Sequence, residues 1–134
     1  MKYELLEHTA DIRIRAYGEA LPELFVNAAI AMMDIIFGEN PKLTHSTTPI
    51  KLSVKGQDLD SLLVNWLSEE LFLTQTEYSI AQDIKIEHFG ENEIRASQIM
   101  HSASAIEDIK AVTYNDLVIK QAGEKYIAEV TFDI

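Results

Sequence analysis

Apolar and polar residues alternate along several short stretches of the chain, a period typical of β-strands with one buried face. Near the start the alternation predicts strands at 3–7 and 12–17. At the other end every second residue from Tyr126 to Ile134 is apolar, so we expect a final strand that stays ordered up to the terminal carboxylate. The remaining strands are predicted at 50–54, 83–88, 93–100, 109–114 and 116–121.

Two stretches carry apolar residues at intervals of three and four, which predicts amphipathic helices. The first helix is predicted over 21–37, with Pro22 in its first turn and Gly38 after its end. The second follows Gly56 with Asp58 as the N-cap, and its apolar stripe includes Trp66. The order ββαβα followed by strands alone predicts an α+β fold, a single domain over 1–134 with one largely antiparallel β-sheet carrying two α-helices.

Composition narrows the classes of function. The chain has no cysteine, which excludes disulfides, thiolate metal sites and cysteine nucleophiles. Twenty-two acidic residues against eleven basic ones give a formal net charge of −11, so we expect no direct binding of nucleic acid. The start of the chain has no apolar leader and no apolar run has membrane-spanning length, so we expect a cytoplasmic protein without membrane contact.

Most catalytic signatures are missing from the sequence. The five glycines are scattered, no His-x-x-x-His pair occurs, and Ser68 and Ser79 have no positioned base. The segment 7–11, Glu-His-Thr-Ala-Asp, lies between two predicted strands, and taken alone it is most simply a capped turn. No catalytic residue and no organic cofactor site is predicted.

Four segments in order change this interpretation. They are EHTADI at 7–12, LLVNWL at 62–67, IKAVTY at 109–114 and FDI at 132–134. Together they resemble the archease family, small acidic proteins that activate the GTP-dependent RtcB-type tRNA-splicing RNA ligase. The resemblance covers nearly the whole chain, and its last segment coincides with the C-terminus.

The resemblance implies a metal site and a partner. Asp11, Asp133 and Ile134 would bind a divalent cation, Ile134 through a main-chain or terminal oxygen. Ca²⁺ is the cation usually described for the family, and Mg²⁺ and Mn²⁺ are the alternatives for a set of oxygen ligands. Lys110, with Asp11 and Asp133, would act in activation of the ligase. The chain would then be a non-catalytic protein cofactor that promotes guanylylation and multiple turnover of the ligase.

Two departures from the family pattern and two alternative functions stay open. Many family members have glycine at the position of Arg13 and histidine at the position of Asn115, so an ionisable imidazole cannot act at 115 here. One alternative is a small metal-dependent hydrolase that uses His8 as the base beside Asp11. The other is a general protein chaperone or modulator. Assays with and without purified ligase would separate the three hypotheses.

Overall fold

The computed structural model describes residues 1–6 and 10–134. Within these residues the chain forms two helices and seven strands. In chain order the elements are β1 (Tyr3–Leu6), β2 (Ile12–Gly18), α1 (Leu21–Phe37), β3 (Ile50–Lys55), α2 (Leu59–Glu77), β4 (Ser79–Phe89), β5 (Glu93–Ser102), β6 (Ala111–Ala122) and β7 (Lys125–Asp133). The predicted α+β class, the two helices and the antiparallel pairing are confirmed.

The strands form two antiparallel sheets, where the sequence predicted one. A four-stranded sheet has the order β1-β2-β7-β6, and a three-stranded sheet has the order β3-β5-β4. Alternation shows which face of a strand is buried and says nothing about which strands pair. The final strand β7 pairs with β2, so the four-stranded sheet joins residues from opposite ends of the sequence.

The largest differences from the predicted strand boundaries concern β4 and β6. β4 begins at Ser79 rather than 83. The alternation did not predict this start, because Ser79, Ile80 and Ala81 are all buried. The strands predicted at 109–114 and 116–121 form one strand, β6, which begins at Ala111 and not at Ile109, and whose pairing with β7 is irregular between Thr113 and Val118. The predicted break at 115 is therefore a β-bulge inside a strand.

The predicted bounds of α1 and the predicted start of α2 are confirmed. α1 covers the predicted residues, and it ends at Gly38, whose φ of 82° suits glycine. α2 begins with a capping box in which the Ser61 N–H donates to Asp58 Oδ1 at 2.8 Å, and this bond lowers the pKa of Asp58. Neither described helix has the length and apolar character that a membrane span requires.

The hydrophobic core lies between the helices and the inner faces of the sheets. Trp66 is fully buried, as its place on the apolar stripe predicts, and its Nε1–H donates to the Phe25 carbonyl at 2.9 Å. Phe25 in turn meets Phe89 edge to face, with ring centroids 5.0 Å apart. These contacts join α1, α2 and β4.

One pair of polar side chains lies inside this core. Glu70 of α2 and Gln98 of β5 are 0% and 1% exposed, and Gln98 Nε2 donates to Glu70 Oε1 at 2.6 Å. The other two acceptors, Glu70 Oε2 and Gln98 Oε1, have no hydrogen-bond partner. Burial raises the pKa of Glu70 to about 7. A proton on Glu70 Oε2 would turn one of these two acceptors into a donor.

Candidate metal and partner site

The first part of the candidate site is the place where β2 begins and β7 ends. Ile12 pairs with Phe132 in antiparallel register. Asp11 and Asp133 each lie one residue further toward the same edge of the four-stranded sheet. Asp133 is exposed, and Asp11 is partly buried. The register therefore brings two of the sequence-predicted carboxylates to neighbouring strand ends, although they are 122 positions apart by their numbers.

The second part is the start of β6, on the other side of β7. Ala111 pairs with Asp133, and the Lys110 main-chain N–H donates to the Asp133 main-chain oxygen at 2.7 Å. Lys110 is exposed, and Ile134, the last residue, is 42% exposed. All four residues that the sequence predicts for the metal and partner site thus lie at one edge of three adjacent strands.

The donor atoms at this edge have the chemistry of a hard-cation site. Asp11 and Asp133 supply carboxylate oxygens, and Ile134 supplies main-chain oxygens at the terminus. Oxygen donors of this kind suit Ca²⁺ and Mg²⁺. Residues 1–6 and 10–134 contain no group of three or more His, Cys, Asp or Glu side chains arranged to hold a metal ion. Main-chain oxygens would have to complete the set, and the metal assignment stays a prediction.

The polar face of the same sheet carries a network of ion pairs. Arg13 bonds Glu129 at 3.0 Å, and Arg15 bonds Glu129 at 2.9 Å and Glu4 at 2.8 Å. Burial acts against ionisation of Glu129, but the hydrogen bonds from Arg15 and Arg13 outweigh it and lower the pKa of this carboxyl. In the described part of the chain, Lys110 forms no such ion pair. Its ammonium is therefore the available positive charge at the site.

Arg13 and Asn115, the two residues that depart from the family pattern, contact each other in the structure. The Arg13 guanidinium donates to the main-chain oxygens of Asn115 and Asp116, at 3.4 Å and 2.5 Å. These residues form the β6 bulge, and Asp116 has a φ of 53°. Arg13 is 9% exposed and also donates to Thr131 Oγ1 at 2.7 Å. In this chain the hydrogen bonds of Arg13 therefore connect the β6 bulge to β2 and β7.

Sequence reasoning missed Gln75, which also touches the site. Its Nε2 donates to the main-chain oxygen of Ile109, the residue before Lys110, at 3.1 Å. An exposed glutamine in the last turns of a helix has no periodicity that distinguishes it, and its partner is 34 positions away. No signal in a single sequence could have found this contact.

The alternative hydrolase hypothesis depends on a residue outside this description. His8, its proposed base, lies with Glu7 and Thr9 outside the described residues. The capped turn predicted at 7–11 therefore lies partly outside the described residues. Asp11, the other residue of that hypothesis, is at the sheet edge described above.

Comparison with known proteins identifies the family. A model of the archease protein family matches residues 3–134. The archease of Methanosarcina acetivorans is 39% identical over 142 residues, covering 99% of this chain and 96% of that protein. The archease of Archaeoglobus fulgidus is 32% identical, and both chains are covered completely.

Solved structures give the same fold. The solution structure of Methanobacterium thermoautotrophicum protein 1598 has a TM-score of 0.72 at 26% identity, with 99% of each chain covered. A crystal structure from Thermotoga maritima, described as an archease and possible chaperone, has a TM-score of 0.70 at 20% identity, covering 96% of this chain and 94% of that one. The chain therefore belongs to the archease family.

Proposed function

We propose that this protein is a non-enzymatic activator of a GTP-dependent RtcB-type RNA ligase, and that it promotes guanylylation and multiple turnover of that enzyme. One observation carries the proposal. In an archease family member, Asp11, Lys110, Asp133 and Ile134 lie at the same edge of one sheet. Such an edge can offer a partner both negative and positive groups at once.

The acidic groups would hold a divalent cation. Two carboxylates and a terminal carboxylate repel one another when they are close, and a bound dication relieves that repulsion. Ca²⁺ is the first candidate, with Mg²⁺ and Mn²⁺ as alternatives. When bound, the cation would offer open coordination positions to oxygen atoms of the ligase. Asp11, Asp133 and Ile134 would orient it at the sheet edge.

Lys110 would supply the matching positive charge. Its ammonium is a compact point charge that can contact a phosphate or carboxylate of the ligase pocket. Since its main chain is bonded to Asp133, the side chain starts from a fixed point beside the acidic groups. The site would therefore present a cation, carboxylates and an ammonium within one small surface.

The charge of the protein suits a protein partner better than RNA. The net charge is −11, and the two arginines on the polar face of the four-stranded sheet are already paired with Glu129 or Glu4. RNA binding proteins use clustered basic residues to neutralise phosphates. We infer that the ligase handles the RNA and that this protein contacts the ligase.

The proposal is tested by a time course of guanylylation of the purified cognate ligase, with GTP and divalent metal, in the presence and absence of this protein. We expect faster guanylylation and more than one ligation per enzyme when the protein is added. Asp11→Ala and Asp133→Ala should lose this effect, while Asp60→Ala, an exposed position on α2, should keep it. No acceleration by the wild-type protein would overturn the proposal.

Assays with the same purified proteins separate the activator hypothesis from the hydrolase and chaperone hypotheses. A hydrolase would turn over a substrate with no ligase present, and a general chaperone would suppress aggregation of unrelated proteins. The activator hypothesis predicts neither effect and requires the ligase. The Thermotoga structure is described as a possible chaperone, so the aggregation assay is the comparison to run first.

A further inference from the structure

The peptide group between Ile109 and Lys110 is held from two sides. Its carbonyl oxygen, on Ile109, accepts a hydrogen bond from Gln75 Nε2 of α2 at 3.1 Å. Its N–H, on Lys110, donates to the Asp133 main-chain oxygen of β7 at 2.7 Å. One peptide plane therefore connects the last turns of a helix to the two candidate residues Lys110 and Asp133.

Burial changes abruptly across this peptide. The Ile109 side chain is 1% exposed and lies in the core, whereas Lys110 is exposed. The segment before it is also anchored, because the Ile106 and Glu107 N–H groups both donate to the Ile36 oxygen of α1. The hydrogen bond from Gln75 thus ties the chain to α2 at the residue directly before Lys110.

We propose that Gln75 is a positioning residue that fixes Lys110 beside Asp133 through the Ile109 carbonyl. The inference rests on the proposed ligase-activating function of the site. The hydrogen bond that Gln75 makes goes to the Ile109 carbonyl and not to the Lys110 side chain, so its proposed action runs through the peptide. A glutamine suits this role because its amide donates a hydrogen bond without adding charge next to the acidic site.

The chemistry of the side chain makes the role testable. Gln75→Met keeps the length of the side chain and removes the donor. A matched control is Thr76→Val, because Thr76 is exposed on the same turn and its hydroxyl donates to the Phe72 oxygen within α2. Thermal melts of both variants establish that they are folded before any assay is compared.

The first measurement is stimulated guanylylation as a function of the concentration of this protein. For Gln75→Met we expect the maximal stimulated rate to fall roughly threefold to tenfold, the factor expected for one lost hydrogen bond. The half-saturating concentration, which reports docking to the ligase, is obtained from the same titration. Thr76→Val should match the wild type in both quantities.

The second measurement needs no ligase and so separates this inference from the proposed function. Hydrogen exchange of the Lys110 amide should be faster in Gln75→Met than in the wild type or in Thr76→Val. If the wild-type protein does not stimulate the ligase, the proposed function fails, and the exchange rate still decides whether Gln75 holds the peptide. Unchanged Lys110 exchange in Gln75→Met, or an equal loss of stimulation in Thr76→Val, would overturn the inference.

Discussion

Two regions of this protein hold polar groups under opposite conditions. In the core, Glu70 and Gln98 are buried, and their side chains form a hydrogen bond with each other. At the edge of the four-stranded sheet, Lys110 and Asp133 are exposed, and a main-chain hydrogen bond connects them. Among the described residues, neither side chain forms an ion pair. Both regions are polar, but only the second can meet another molecule.

The comparison separates polar groups that belong to folding from those available for function. A buried carboxyl influences the free energy of unfolding, because it must be paired or protonated. An exposed side chain at a strand end can be removed at little cost to stability. Substitutions should therefore change stability in the core and partner activation at the edge.

The largest effect should come from Trp66→Ala. Trp66 is fully buried and donates to the Phe25 carbonyl, so truncation leaves a cavity and an unpaired acceptor. We expect a loss of about 3–5 kcal/mol in the free energy of unfolding, measured by chemical denaturation. Phe72→Ala is the control, because Phe72 lies on the same helix but is 56% exposed. A loss below about 1 kcal/mol for Trp66→Ala would contradict the described core.

Glu70 should make the stability depend on pH. Its pKa is about 7 in the folded protein against an ordinary value of 4.5, so the folded state binds more protons between these values. Stability should therefore fall as the pH rises from 5 to 8, by an amount on the order of 3 kcal/mol. Glu70→Gln keeps the shape and donates without titrating, so it should be the more stable form at pH 8.

The test of Glu70 is a pair of denaturation curves at pH 5 and pH 8 for each protein. Glu77→Gln is the matched control, since Glu77 is an exposed carboxyl on the same helix. It should keep the pH dependence of the wild type. If Glu70→Gln shows the same fall in stability as the wild type, Glu70 does not titrate in this range.

An intermediate effect should come from Arg13→Met. This change keeps the aliphatic stem of the side chain and removes its bonds to Glu129, Thr131 and the β6 bulge. We expect a loss of about 1–3 kcal/mol, because two of the acceptors, on Thr131 and Glu129, are largely shielded from water. Arg95→Met, at an exposed strand position, should cost little. Equal stabilities of the two variants would show that the Arg13 contacts do not hold the bulge.

The smallest change in stability should come from Asp133→Ala at the sheet edge, within about 0.5 kcal/mol of the wild type. The same variant should bind Ca²⁺ much more weakly in calorimetry, because it removes one of the proposed ligands. A tag appended after Ile134 should also weaken binding, since it removes the terminal carboxylate. Unchanged Ca²⁺ affinity in both proteins would remove the cation from the proposal.

The sequence was sufficient for features set by nearby residues. The bounds of α1, the Asp58 N-cap and the burial of Trp66 follow from local periodicity and capping, and the structure has all three. The meeting of Asp11 with Asp133 was expected only through the family resemblance, because periodicity does not reveal which strand β7 pairs with.

Contacts between distant segments could not be predicted. The bond from Gln75 to Ile109 and the bonds from Arg13 to the bulge at 115–116 join segments whose proximity depends on the finished sheet. The division into two sheets has the same origin. The pattern of a single sequence indicates which face of each element is buried. Which strands pair with each other depends on the packing of the whole chain.

The most direct test of the central claim compares two lysines on the sheet that carries the site. Lys110 lies beside Asp133 at the proposed site, and Lys125 is exposed at the other end of β7. Guanylylation of the purified cognate ligase should be measured with the wild type, Lys110→Ala and Lys125→Ala at equal concentrations. The account predicts acceleration by the wild type and by Lys125→Ala and none by Lys110→Ala. Equal acceleration by all three proteins, or no acceleration by the wild type, would contradict it.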